Sequence, residues 1–409
     1  MKKIIATIWW MGVWIFGLHA QEVQEINVKD FNNNGVINFY DADQWLFRSG
    51  HDPSWAQIEV NVEEWEKLSI SDVHTKIPSA SDRLEGWFRM RFRLDDSFKA
   101  EQLDFQFNNF GQTVALYLDG QIISTLGQMP QAGQIAQRSK ITDDRKIVPA
   151  KLESQKVYTV AIRYIHEPIQ FPYNLMAGNE MYHFGFALVK EVNPQQQAQL
   201  NIYKISSISF AVAICLMTTI LFWILFLQNR KDDLLGLLVI FQTCLMVFSL
   251  VSLIERAHFT LSIEAYLSWG FLGSMMFAVI LVVLPILFSR IFTGKLPRRL
   301  IWFVPLLLVS LLEFIYIRES LLGGGIMLFS LGLCLYYMLG AWRNLKGAQW
   351  AIVIGTIIFF LFLITIFICI SLGWELDESI VLPILELIFP IALLASSSVS
   401  LNRIKIKVN

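Results

Sequence analysis

The second half of this chain is a succession of apolar stretches whose positive charges fall almost entirely on alternate connections. Seven of them, 205–227, 234–254, 266–288, 300–317, 321–342, 350–372 and 380–401, reach the length of roughly 20 residues that crosses a bilayer. The first, third and fifth connections carry Arg230, Lys231, Arg290, Lys295, Arg298, Arg299, Arg343 and Lys346, and the tail adds Arg403, Lys405 and Lys407. The other connections hold only Arg256 and Arg318, beside Glu255, Glu264, Glu319, Glu375, Asp377 and Glu378. Basic residues stay on the cytoplasmic side. An odd number of spans therefore predicts a preceding domain outside, a tail 402–409 inside, and lipid around the bundle 205–401.

The N-terminus provides a route for export. Lys2 and Lys3 precede an apolar core over 4–18, and Ala20 ends the pattern of a secretory signal peptide, 1–20. Leu18 is bulkier than the small residue favoured before such a cut, so an uncleaved anchor stays open as an alternative with the same sidedness. The net charge of −1 says nothing by itself about partners, but neither half has the concentrated basic stripe of a nucleic-acid binder. All four cysteines (Cys215, Cys244, Cys334, Cys369) fall in apolar spans, so the domain 21–192 is expected to rely on its core without disulfides.

Over that domain the periodicity is two. Phe88, Met90, Phe92 and Leu94 alternate with Trp87, Arg89, Arg91 and Arg93, the pattern of a strand with one buried face. Leu103, Phe105 and Phe107 repeat it, as do Tyr158, Val160, Ile162 and Tyr164, then Phe184, Phe186 and Leu188. Asp119-Gly120 between two such runs signals a hairpin, because both turn positions tolerate positive φ. Short strands separated by turns predict an all-β sandwich or jelly roll. The Gln-rich stretch 193–204 reads as a linker into an all-α seven-helix transmembrane bundle.

The stretches WLFRSGHDPSWAQ from Trp45, then Trp65, GWFRMRFRL from Gly86 and LYLDGQIISTLGQ from Leu116 resemble a galactose-binding-type jelly roll. Such domains precede the seven spans of bacterial seven-transmembrane receptors with diverse intracellular signalling modules, and this chain is similar to them over almost its whole length. The resemblance implies a sensory receptor of the bacterial inner membrane, with a periplasmic small-molecule or carbohydrate ligand. Family members usually continue into a kinase, cyclase or phosphatase domain. This chain ends at Asn409, so the expected output is a separate cytoplasmic signalling protein, and no catalytic domain is expected within these residues. Two alternatives stay open: a transporter or transporter subunit with a substrate-capturing jelly roll, and a fragment of a longer signalling enzyme.

Jelly rolls of this type often hold sugars through aromatic faces and carboxylates. Trp45, Trp55 and Trp87 with His51 and Asp52 form the nearest such constellation, each tryptophan having core packing as its competing role. Trp87, on the arginine-bearing face of its strand, is expected to point outward or to lie under a loop. The segment 166–185 is a Pro- and aromatic-containing loop suited to binding or to contact with a membrane surface. The segment Asp30–Asp41 matches the oxygen spacing of a calcium loop, but it lacks flanking helices and coincides with an expected strand, so no metal or cofactor is assigned. Within the spans, Glu313 and Glu386 stand out, since an ionisable group in lipid costs about 3 kcal/mol. Glu386 lies between Pro383 and Pro390, where a kink would favour either a polar pocket or an interhelical hydrogen bond. Nucleotide, dinucleotide, zinc-protease and kinase motifs are not found in the sequence.

Overall fold

The computed structural model describes residues 23–32, 35–79, 81–98, 103–109, 111–130, 135–140, 146–175, 182–190, 194–256, 260–297, 321–345, 347 and 349–371. The signal segment, the expected spans 300–317 and 380–401, the tail, Glu313, Pro383, Glu386 and Pro390 lie outside them. The chain divides into two compact units, Met1–Val192 and Asn193–Asn409.

In the first unit, the described strands are β1 (Val23–Ile26), β2 (Val36–Asn38), β3 (Leu46–Ser49), β4 (Glu66–Lys67), β5 (Leu84–Leu94), β6 (Leu103–Asn109), β7 (Thr113–Leu118), β8 (Gln121–Leu126), β9 (Lys146–Ala150), β10 (Val157–His166) and β11 (Phe184–Lys190). They form a seven-stranded sheet in the order β4-β3-β5-β10-β7-β8, with β1 pairing parallel to β5, and a four-stranded sheet in the order β2-β11-β6-β9. The expected alternation holds: Phe88, Phe92, Phe105, Phe107, Phe184 and Phe186 are all buried. Phe88 meets Phe184 at 5.5 Å, and Phe105 stacks on Phe186 at 5.3 Å between ring centroids. The Phe88–Phe184 contact, with Phe92 against Phe105 at 6.4 Å, ties the two sheets together face to face, as in a sandwich, while Phe105 and Phe186 pack side by side within the four-stranded sheet. At the hairpin joining β7 to β8, Asp119 and Gly120 have φ of 50° and 82°, the two positive values its sequence required. Gly86 is needed for a close approach: a Cβ there would lie 2.5 Å from the buried Phe47 ring and 3.0 Å from Arg48 O.

The calcium-loop spacing is taken up by other structure. Val28–Asp30 form a 3-10 turn, the Asp30 carboxylate accepts from Asn27 N–H at 2.7 Å, Asn32 Oδ1 accepts from Val36 N–H at 3.0 Å, and β2 follows. No cluster of three or more metal-ligating His, Cys, Asp or Glu residues occurs among the described residues.

The second unit is helical: α1 (Pro194–Gln228), α2 (Asp233–Arg256), α3 (Ile263–Thr293), α4 (Leu321–Ala341) and α5 (Gln349–Ser371). Among the described residues, five helices are long and apolar enough to cross a membrane. The expected linker 193–204 is helical from Pro194, continuous with the apolar span that begins at Ile205. Proline suits a first helical position, where its missing N–H is not needed. The following Gln, Ala and Leu residues favour helix, so the polar linker is built as an extension of the span. Asp232 caps α2 through Leu234 N–H at 2.9 Å, and Ser262 caps α3 through Ala265 N–H at 3.2 Å.

Helices α1, α2 and α3 run up and down through short connections. Helix α4 runs parallel to α3: Ser330 Oγ donates to Leu281 O at 2.6 Å, and past the end of α4, Gln349 Nε2 donates to Ile291 O at 2.8 Å. One end of the described bundle therefore gathers Arg230, Lys231, Arg290, Lys295 and Arg343. Between α1 and α2 lies a buried polar contact, where Gln242 Nε2 donates to Thr218 Oγ1 at 2.6 Å and Thr219 Oγ1 to Gln242 O at 3.2 Å. Cys215, Cys244 and Cys334 are buried thiols in this unit.

Candidate functional site

The five residues selected from sequence separate into two groups. Trp45 is fully buried between the sheets, where its indole N–H donates to Phe39 O at 2.7 Å and its ring meets Phe186 at 5.9 Å. It belongs to the core, the competing role foreseen for it. The other four, His51, Asp52, Trp55 and Trp87, come together on the outer face of the seven-stranded sheet. Register explains this grouping. Arg48 pairs with Trp87, Trp87 with Arg163, Leu46 and Ala161 with Arg89, and Ala161 with Tyr117, so all these side chains share one face.

That face is covered by segment 50–65. Gly50 turns it back at φ +134°, and a Cβ there would sit 3.1 Å from the Trp55 ring. Asp52 accepts from Ser54 N–H at 2.9 Å and, with Pro53, starts a short 3-10 turn, Pro53–Ala56. Hydrogen bonds from Ser54, first from its side chain and then from its backbone, hold the Asp52 carboxyl below its ordinary value ahead of the charges of Arg48 and His51. Trp55 lies edge-on to Trp65 at 5.5 Å, and the Arg48 guanidinium stacks on Trp55 at 4.7 Å.

Between this cover and the sheet, Ala56 and Trp65 of the segment form a buried cluster with Trp87 and Ala161 of the strands, flanked by Trp55, Val60 and Val62 on one side and Leu46 and Tyr117 on the other. Trp87 is only 1% exposed and therefore lies under the loop instead of pointing outward. The cover is pinned by Arg89, whose Nη1 donates to Trp55 O at 3.0 Å and Gln57 O at 2.6 Å, while Nη2 donates to Ile58 O at 2.5 Å. Burial, and secondarily Arg91, pushes the Arg89 guanidinium down to about 10. Among the described residues, the indole nitrogens of Trp65 and Trp87 have no acceptor, in side chains 7% and 1% exposed. Buried indole N–H groups usually find one.

At one rim stands an ionic cluster. Arg163 Nη2 donates to Glu85 Oε1 at 2.7 Å, and His51 Nδ1 lies 2.5 Å from that oxygen and 2.6 Å from Arg163 Nη2. Arg83 bridges Glu85 and Glu167, each at 3.3 Å. Burial raises the Glu85 pKa, but hydrogen bonds from Arg163 and His51 outweigh it, leaving the carboxyl below its ordinary value. Beyond the rim, Phe171 in the 166–185 loop stands exposed. Sequence reasoning missed Glu85, Arg89 and Arg163 as members of this site. Their alternation marked the outer face, but nothing local indicates which segment covers it.

No family model matches the chain, and no curated protein matches it. Among solved structures, the chain is similar to Bacteroides uniformis β-glucuronidase 2 at 15% identity, covering 38% of this chain and 18% of that one with a TM-score of 0.27. It is likewise similar to a β-glycosidase from Bacteroides vulgatus (14% identity, 38% and 20%, TM-score 0.26). A β-glucosidase from Kluyveromyces marxianus gives 13% identity, 41% and 17%, and a TM-score of 0.23. The chain spans about a fifth of the length of these proteins.

Proposed function

We propose that this protein is a sensory receptor of the bacterial inner membrane whose periplasmic β-sandwich binds a carbohydrate or related polyol beneath segment 50–65. The observation that carries the reading is the pair of buried, acceptor-free indole nitrogens in one cluster with a third tryptophan. A polyol supplies oxygen acceptors for both and apolar C–H faces for the rings. Arg48, His51 and Glu85 at the rim offer donors and acceptors to further hydroxyls. Binding draws segment 50–65 away from the sheet, and a separate cytoplasmic protein reads the resulting change in the bundle. A ligand shifts such an equilibrium only by its differential affinity for the two states.

Two features support the membrane part of this reading. The basic residues at one end of the described bundle favour that end as cytoplasmic. The parallel run of α3 and α4 is what the odd number of spans expected from the sequence calls for. The test is calorimetric titration of the full chain in lipid nanodiscs with a panel of soluble oligosaccharides. One member should bind, and Trp65→Phe and Trp87→Phe, which keep a ring but remove the N–H, should each weaken it about tenfold. Binding unchanged by both substitutions, or no binding across the panel, would sink the proposal.

A further inference from the structure

Away from that face, residues from three separate segments meet beside the four-stranded sheet. Tyr40 follows β2, His74 belongs to the 3-10 segment Ile70–Lys76, and His183 immediately precedes β11. His183 Nδ1 makes a short contact with the Tyr40 hydroxyl, and its Nε2 lies 3.5 Å from His74 Nδ1. His74 Nδ1 is also 2.9 Å from Ser71 O. The two imidazoles stand edge to face with centroids 5.6 Å apart, and the Tyr40 ring lies 5.4 Å from His183.

One arrangement of protons satisfies these contacts. A carbonyl only accepts, so His74 Nδ1 carries the hydrogen directed to Ser71 O. A donor therefore faces His183 Nε2, which is best left bare, while His183 Nδ1–H is given to the Tyr40 oxygen. Adding a proton at Nε2 would set one N–H against another across 3.5 Å in a half-buried site. The ionisable groups facing His183 are His74 and Asp72 from the 3-10 segment, and Tyr40 and Asp41 from the β2–β3 connection. Burial, then His74, hold its pKa below 6.5; the Ser71 carbonyl and the charges of Asp72 and Asp41 oppose the shift without reversing it.

We propose that Tyr40, His74 and His183 form a proton-sensing site: acidification protonates His183 at Nε2, breaks its apposition to His74 and loosens the head of β11. The far end of that strand leads, three residues later, to α1 at Pro194. The sign follows from linkage. A histidine that binds its proton less well in the closed form leaves that form fully stable above 6.5 and weakens it as pH falls toward the lower value. The site is independent of the sugar-binding proposal, and each can fail alone.

The test is ring-¹⁵N NMR of histidine in the full chain in nanodiscs, where six histidines give a readable spectrum. One resonance should titrate below 6.5, vanish in His183→Gln and move upward in His74→Ala. The melting temperature should fall between about pH 7.5 and about pH 5.5, and this fall should flatten in His183→Gln. If His183→Gln does not fold, the His74→Ala titration and its melting profile decide. Titration of His183 at or above its ordinary value overturns the proposal, as does an unchanged melting profile in both variants. A His183 resonance displaced by EDTA overturns it too, because it would mark a metal ligand.

Discussion

Arg89 carries three backbone carbonyls on one guanidinium and so decides whether segment 50–65 lies against its sheet. A lysine there has the charge but not the planar fork, and cannot satisfy Trp55 O, Gln57 O and Ile58 O together. Arg89→Lys should cost about 2 kcal/mol in chemical denaturation and raise the solvent accessibility of the tryptophan emission. Glu85 makes a pH-dependent contribution. Its carboxyl is held below its ordinary 4.5, so its stabilising effect is complete above that pH and disappears as pH falls through the lower folded value. Glu85→Gln should therefore lower the melting temperature at neutral pH and flatten the acid limb. A limb as steep as the parent's would count against it. Alternation in 87–94 made the outward side of Trp87 and the inward side of Phe88 legible. The partners of Arg89 were not legible, because they lie about 30 residues away in an aperiodic segment held by backbone oxygens that every residue possesses.

At the scale of elements, α3 shows how a broken hydrogen bond is repaired by a neighbour. Pro285 has no N–H, so the carbonyl of Leu281, four residues earlier, loses its intrahelical donor. Ser330 of α4 supplies one at 2.6 Å. In a bilayer no water can take that role. Ser330→Ala should destabilise the unit by about 1–2 kcal/mol, and Pro285→Ala in the same chain should recover most of the loss by restoring the backbone donor. Additive losses in denaturant titrations would contradict this account. The five described helices were legible from apolar runs alone. The partnership of Pro285 with Ser330 was not, since it depends on two helices being parallel and in register. The helical state of 194–204 was not legible either: composition marked it as polar, and polarity neither requires nor prevents a helix.

At the scale of the molecule, β11 and α1 are separated by three residues, and α1 continues unbroken for 35 residues, about 52 Å. The hydrocarbon layer needs only about 30 Å of that length. So continuous a rod has an angular phase: what turns one of its ends must turn the other. One alanine inserted after Gln199 would rotate everything beyond it by about 100°, whereas four would return it to within about 40° of its starting azimuth. The acid-induced change in maleimide labelling of a cysteine placed at Asn229 should be scrambled by the first insertion and largely restored by the second. If both insertions label alike, α1 is not the shaft.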